Sequence, residues 1–319
     1  MLIRLLLALC AVLTLGGAAH AQPYPSKPIR LVVGYSPGGG NDLIARIVAV
    51  ALQAKLKQPV MVDNQPGEQA ITAAEIVAKA PADGYTLLVA PSGPMTINPA
   101  IHAKLSYDPI KDFAPVSLLA EFPLLLVVGA EEPIKSVKEL VDYGRANPKR
   151  ATYASGATPF QLVSEMFNQH TQSKFQHLPY KGSGDAVQAV LTGQALMTFV
   201  DSGAVAGPLK AGKLRALAGT ASKWPPDFPK VPTFAEAGVA DMAIALWTGV
   251  VAPAGTPPEI VTVLQEAIAY VVESPETRQA LEAISVIPRS TSPRTFADII
   301  ARDTARWKQV ATTASVKLD

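Results

Sequence analysis

The sequence predicts an α/β protein built from two units of alternating strands and helices. Short β-branched runs alternate with stretches of helical apolar spacing, and a glycine-rich turn joins the first run to the first helix. The alternation recurs between Leu124 and Ala218 as a second set. A chain of 319 residues is long for one domain and comfortable for two.

After Pro23, Pro25 and Pro28, which keep the start extended, Ile29 to Val33 reads as a strand that ends in Gly34-Tyr35-Ser36-Pro37-Gly38-Gly39-Gly40. From Asn41 or Asp42 onward, Leu43, Ile44, Ile47, Val48, Ala51 and Leu52 recur at helical spacing, with Lys55 and Lys57 near the end. Val60 to Val62 is the next strand, Ala70 to Lys79 a helix, and Tyr85 to Ala90 a third strand after an Asp83-Gly84 turn. This βαβαβ order predicts a parallel sheet with helices on both faces.

In the second set, Leu124 to Val128 precedes a helix opened by Ser136, with Glu139 at capping-box spacing. Strands at 151–154, 175–178, 196–200 and 214–218 follow, with helices at 160–171 and 185–192 between them. A proline-rich stretch from Trp224 to Pro232 breaks the periodicity. Beyond it lie a strand at 247–251 and a helix with Thr256 as cap, Pro257 first and Glu259 completing the box. A helix start at Ser274-Pro275-Glu276 and a long terminal helix after Pro293 end the chain.

Composition excludes several classes. The chain is 49% hydrophobic and 17% charged, and its 22 glycines and 28 prolines fall short of low-complexity disorder. A net charge of +2 with no block of Lys or Arg leaves no electrostatic footprint for nucleic acid. Met1 to Arg4, the apolar run Leu5 to Gly17 and Ala19-His20-Ala21 read as a secretory signal peptide over residues 1–21. Cys10 lies within it, so the chain from Gln22 has no thiol and must be stabilised by core burial. Periplasmic localisation is expected. Neither the histidines nor the acidic residues show metal-ligand spacing, so no metal or other cofactor is expected.

Three glycines between the first strand and the first helix let the backbone approach a ligand, and the helix start aims N–H groups at an anion. Steric need alone also accounts for a glycine turn there. Gly34-Tyr35-Ser36-Pro37-Gly38 matches G-x-S-x-G, yet Pro37 has no N–H to donate where a nucleophile elbow needs one. Ser155-Gly156-Ala157-Thr158 and Gly182-Ser183-Gly184-Asp185 offer similar turns, with Asp185 read as an ordinary cap. Ser92, Thr96 and Asn98 lie in a polar loop after the third strand, where open α/β sheets bind ligands. Asp201, at another strand end, is either a ligand contact or a helix cap.

With these residues placed, the whole chain after the leader resembles the tripartite tricarboxylate transporter substrate-binding proteins, the Bug or TctC family of periplasmic solute receptors. The resemblance rests on Tyr24-Pro25-Ser26-Lys27-Pro28-Ile29, on Tyr35-Ser36-Pro37-Gly38-Gly39 with Asp42, and on Asp83-Gly84-Tyr85-Thr86-Leu87. It continues through Tyr153-Ala154-Ser155-Gly156, Pro179-Tyr180-Lys181-Gly182, Ala211-Gly212-Lys213-Leu214-Arg215-Ala216-Leu217-Ala218, and Ala252-Pro253-Ala254-Gly255-Thr256-Pro257. It implies a type II-like periplasmic binding protein: two α/β lobes around a ligand cleft, the first of them discontinuous. Residues 22–122 and 247–319 are then lobe one, and residues 123–246 lobe two. It implicates Tyr35, Ser36, Gly38, Gly39, Ser155, Gly156 and Thr158 in holding a ligand carboxylate, and Ser92, Thr96, Asn98 and Asp201 in selectivity.

One departure is clear: where the family usually has Asn-Arg-Pro-Gly-Ala-Gly-Gly, this chain has Asn64-Gln65-Pro66-Gly67-Glu68-Gln69-Ala70. A cation and glycines are lost and Glu68 is gained. The expected function is capture of a small carboxylate by a monomer, through lobe closure, and delivery to a tripartite tricarboxylate-type membrane transporter. The rivals are a sensor for a membrane signalling protein and a secreted esterase using Ser36.

Overall fold

The computed structural model describes residues 24–221, 224 and 230–317. The expected signal peptide and most of the proline-rich stretch lie outside the described residues. Two sheets organise the chain. The first draws on β1 (Ile29–Val33), β2 (Val60–Asn64), β3 (Thr86–Pro91), β4 (Phe113–Phe122), β10 (Leu246–Pro253) and β11 (Ile287–Pro288), in the order β11-β4-β10-β3-β1-β2. The second is ordered β7-β6-β8-β5-β9, with β5 Leu124–Gly129, β6 Thr152–Ser155, β7 Gln176–Pro179, β8 Met197–Asp201 and β9 Leu214–Gly219.

Neither sheet is wholly parallel, which corrects the sequence expectation. The βαβ units are present: β1 runs parallel to β2 and β3, and β6 runs parallel to β7 and β8. However, β10 lies antiparallel between β3 and β4, and β5 is antiparallel to β8 and β9. Sequence reasoning placed no strand at Phe113–Phe122. Pro115, which cannot donate to a ladder, falls there at a register shift opposite Val251, and this blurs the strand signal.

Helices cover both faces of both sheets. On the first sheet, α1 (Gly40–Leu56) and α8 (Pro258–Glu273) bury Ile44, Val48, Leu52, Leu264 and Ile268 against Leu31, Val33, Leu87 and Val250. The opposite face packs α2 (Ile71–Ala78) and the start of α10 (Pro293–Ala314), with Val77, Phe296 and Ile300 against Val32, Leu88, Trp247 and Val251. In the second unit, α4 (Val137–Ala146) and α5 (Thr158–Thr171) cover one face, while α6 (Ser183–Leu191) and α7 (Ser202–Lys210) cover the other. A short α3 (Asn98–Ile101) and α9 (Pro275–Ala283) complete the helices among the described residues. The far end of α10 leaves its own sheet: Trp307, Val310 and Ala311 share a buried cluster with Leu162, Met166 and Phe167 of the second unit.

Capping follows the sequence in part. Ser136 and Ser274 accept the expected backbone N–H groups, from Glu139 and Thr277. Thr256 does not cap α8: its hydroxyl donates to the Pro253 carbonyl at 2.7 Å, and the cap position falls on Pro257. Asp185 is not a cap either, because α6 starts two residues earlier and its cap position is Gly182.

Both connections between the units run side by side. Phe122 pairs with Leu246 and Glu121 with Trp247, so the outgoing and returning chain form one antiparallel ribbon.

Candidate functional site

The first turn is shaped by a buried carboxylate. Asp42, in the first turn of α1, is 1% exposed and accepts hydrogen bonds from the Gly38 N–H at 2.8 Å, Arg46 Nε at 2.9 Å and Asn64 Nδ2 at 2.8 Å. Burial alone would raise its pKa, but these donors outweigh burial and hold it below the usual carboxylate value. The same Asn64 amide donates to the Tyr35 carbonyl at 3.1 Å. Gly38 sits at φ +86°, a left-handed conformation open to glycine. Its N–H is therefore spent inside the protein.

The helix begins at Gly40, one residue before the expected start, and Gly39 provides no side-chain cap. The first N–H groups of α1 are thus left for solvent or a ligand, beside an exposed Ser36. Among the described residues the Ser36 hydroxyl has no hydrogen-bond partner, and no histidine stands with it as a base.

The loop after β3 forms a wide π-type turn over Gly93–Ile97. Thr96 and Asn98, 0% and 1% exposed, maintain its shape: the Thr96 hydroxyl donates to the Ser92 carbonyl at 2.7 Å, and Asn98 Nδ2 donates to the Gln69 carbonyl at 3.1 Å. The Tyr107 hydroxyl donates to the Pro94 carbonyl at 2.7 Å. A Cβ on Gly93 would lie 3.4 Å from the Tyr35 hydroxyl, so Tyr35 joins the first turn to this loop. Burial pushes its phenol up to about 12.

In the second unit, Ser155 ends β6 with its Oγ 2.7 Å from His177 Nε2. The His177 ring stacks on Tyr153 at 5.0 Å, and Tyr153 donates to Glu165 at 2.5 Å. Gly156 is pressed against Gly182, where a Cβ would overlap the Gly182 carbonyl. That contact sets the starts of α5 and α6 side by side, and neither has a side-chain cap. Thr158 is the first residue of α5. Asp201 caps α7, accepting from the Ala204 N–H at 3.0 Å, while its other oxygen accepts from the Ser183 hydroxyl at 3.3 Å.

The expected residues therefore gather in two groups at strand C-terminal ends: Tyr35, Ser36, Gly38, Gly39 and Ser92 on the first sheet, and Ser155, Gly156, Thr158 and Asp201 on the second. Both groups adjoin the connecting ribbon. A Cβ on Gly40 would lie 3.3 Å from the Phe122 ring, the Thr248 hydroxyl donates to Asn41 Oδ1, and Asp201 pairs with Leu124. Sequence reasoning had no role for His177, Asn41 or Thr248. Their partners lie 22 and 207 residues away, and only strand pairing brings them together.

Two α/β lobes joined by a double crossover, with polar turns at the strand ends beside it, define the periplasmic binding protein class. Residues 44–315 match the profile described as tripartite tricarboxylate transporter family receptor, TctC. The chain belongs to this family of periplasmic solute-binding proteins. It is 34% identical over 312 residues to Protein BugT of Bordetella pertussis, covering 96% of each chain. Among solved structures it resembles R. palustris Rpa4515 with adipate, at 35% identity and TM-score 0.78, covering 92% of this chain and 99% of that one. It also resembles MatC (Rpa3494) from Rhodopseudomonas palustris with bound malate, at 30% identity and TM-score 0.74, covering 90% and 99%.

Proposed function

We propose that this protein, exported by residues 1–21, works in the periplasm as a monomeric receptor that captures a small dicarboxylate and passes it to a tripartite tricarboxylate-type membrane transporter. Residues 22–122 with 247–319 act as one lobe and residues 123–246 as the other, hinged at the ribbon around Phe122 and Leu246. The observation that carries the reading is the set of uncapped helix starts, α1 on one sheet and α5 and α6 on the other, beside glycine turns. Such ends bind carboxylates through N–H groups and the helix dipole, with no arginine required. Adipate and malate in related structures favour a dicarboxylate. Closure needs a ligand that contacts the closed form better than the open one, and a diacid can reach a turn on each lobe.

Calorimetric titration with adipate, malate and shorter and longer diacids tests this. Saturable binding with thermal stabilisation is expected, about 2.7 kcal/mol at a hundredfold excess over Kd. If no mono- or dicarboxylate saturates, the reading fails. Ester hydrolysis abolished by Ser36→Ala would favour the enzyme instead.

A further inference from the structure

The connecting ribbon has two faces, and residues alternate between them. Phe122 and Thr248 face α1 and the first turn, whereas their neighbours Glu121 and Trp247 face α10 on the other side. There a cavity of about 300 Å³ is lined from both lobes: Thr220 and Ala243–Ala245 on one side, and Glu121, Trp247, Arg289, Arg302, Asp303 and Arg306 on the other.

Three guanidiniums meet two carboxylates in this cavity, and both carboxylates are already engaged. Glu121 pairs with Arg289. Asp303, 5% exposed, accepts from Trp247 Nε1 at 2.9 Å and pairs with Arg302 at 3.1 Å. Arg306, half-buried, has no hydrogen-bond or ion-pair partner among the described residues. Its donors are therefore free to take an acceptor from outside the chain, and its planar fork suits an oxyanion. Across the cavity, the Thr220 hydroxyl accepts from the Leu124 N–H at 3.0 Å, which leaves its own hydrogen to donate.

We propose that this cavity behind the hinge is a second anion site, separate from the cleft turns, which binds a small oxyanion, phosphate or carboxylate, through Arg306 and Arg302 of one lobe and the Thr220 hydroxyl of the other. An anion held there bridges the lobes on the face of the ribbon opposite the cleft, so its occupancy biases the lobe angle.

The test is titration of the purified protein with inorganic phosphate and, separately, acetate at constant ionic strength, followed by calorimetry and by the intrinsic tryptophan fluorescence, to which Trp247 in the cavity wall contributes. Saturable binding of either anion is expected, weakened at least tenfold in Arg306→Gln and less in Arg302→Gln. Arg278→Gln, at a residue paired with Glu282 on α9, should bind as the parent does. Phosphate alone, acetate alone or both would define the oxyanion class. If neither anion saturates, or if Arg306→Gln binds unchanged, the site does not exist. Should Arg306→Gln fail to fold, the exposed Arg302→Gln decides, with unchanged binding overturning the proposal.

Discussion

Ser155 Oγ and His177 Nε2 lie 2.7 Å apart across the edge of the second sheet, joining the end of β6 to its parallel neighbour β7. Burial lowers the His177 pKa, partly offset by the nearby Glu165 carboxylate. Near neutral pH the imidazole is therefore uncharged in the fold. The unfolded chain protonates first as pH falls through about 6.5, so folding stability declines below that point. Urea unfolding of the parent and His177→Gln between pH 7.5 and 5 should show a steeper acid decline in the parent. Parallel curves would mean that His177 titrates alike in both states.

Asp42 holds the first turn through three donors. Asp42→Ala removes the shared acceptor of the Gly38 N–H, the Arg46 guanidinium and one of the two bonds made by the Asn64 amide, and loss of such an acceptor costs about 1–3 kcal/mol. Because the Asp42 pKa is lowered on folding, its contribution is present above the ordinary aspartate value and is lost as pH falls through the folded one. Denaturant titration at pH 7 and at pH 3 should show the mutational cost shrinking at the lower pH. An equal cost at both values would contradict the assignment.

Gly156→Ala tests the contact that aligns two helix starts. A methyl group there overlaps the Gly182 carbonyl, which is backbone and cannot swing aside. Overpacking of this kind costs about 1–3 kcal/mol and displaces the α5 turn from α6. Dicarboxylate affinity should drop together with stability. Gly207→Ala, inside α7 where an added Cβ also meets nothing within 4 Å, is the control that should leave affinity unchanged without loss of stability.

Gln69 and Ala70 both adopt left-handed backbone conformations, φ 46° and 62°, at the two positions where the sequence resemblance implies glycines. A side chain in that region costs about 1–2 kcal/mol per residue, and a glycine returns about 0.4–1 kcal/mol as extra unfolded-state entropy. Gln69→Gly should therefore raise stability by about 0.5–1 kcal/mol, measured by urea unfolding. The gain is offset by loss of the contact between Gln69 Oε1 and His102 Nε2 at 3.2 Å. A clear loss of stability would show that this contact outweighs the strain.

Local chemistry made much of this architecture legible from the sequence. Ser136 and Ser274 capped as expected because a cap needs only its own helix, and the glycine turn was visible because backbone conformation restricts residue choice at single positions. Thr256 misled because its hydroxyl found the Pro253 carbonyl instead of the helix amides. The strand Phe113–Phe122 was missed because its pattern is broken by Pro115 at a bulge, and the antiparallel direction of β10 is a property of pairing, not of composition. In the site, the turns could be read, while the Ser155–His177 and Asn41–Thr248 partnerships required the sheets to exist.

The position of β10 governs the order in which the molecule can assemble. Strands β1 to β3 pair among themselves, and the second sheet is drawn wholly from residues 124–219, so both can form early. By contrast, among the described residues β4 pairs only with β10 and β11, both of which follow residue 245. In a chain that emerges from its N-terminus, the lobe begun first is completed last. Until Leu246–Pro253 slides between β3 and β4, both strands expose unpaired edges. Such long-range closure is slow, so a chain cut short before Leu246 should carry a fully paired second sheet that lacks its Trp307, Val310 and Ala311 cover, on an open, aggregation-prone first sheet.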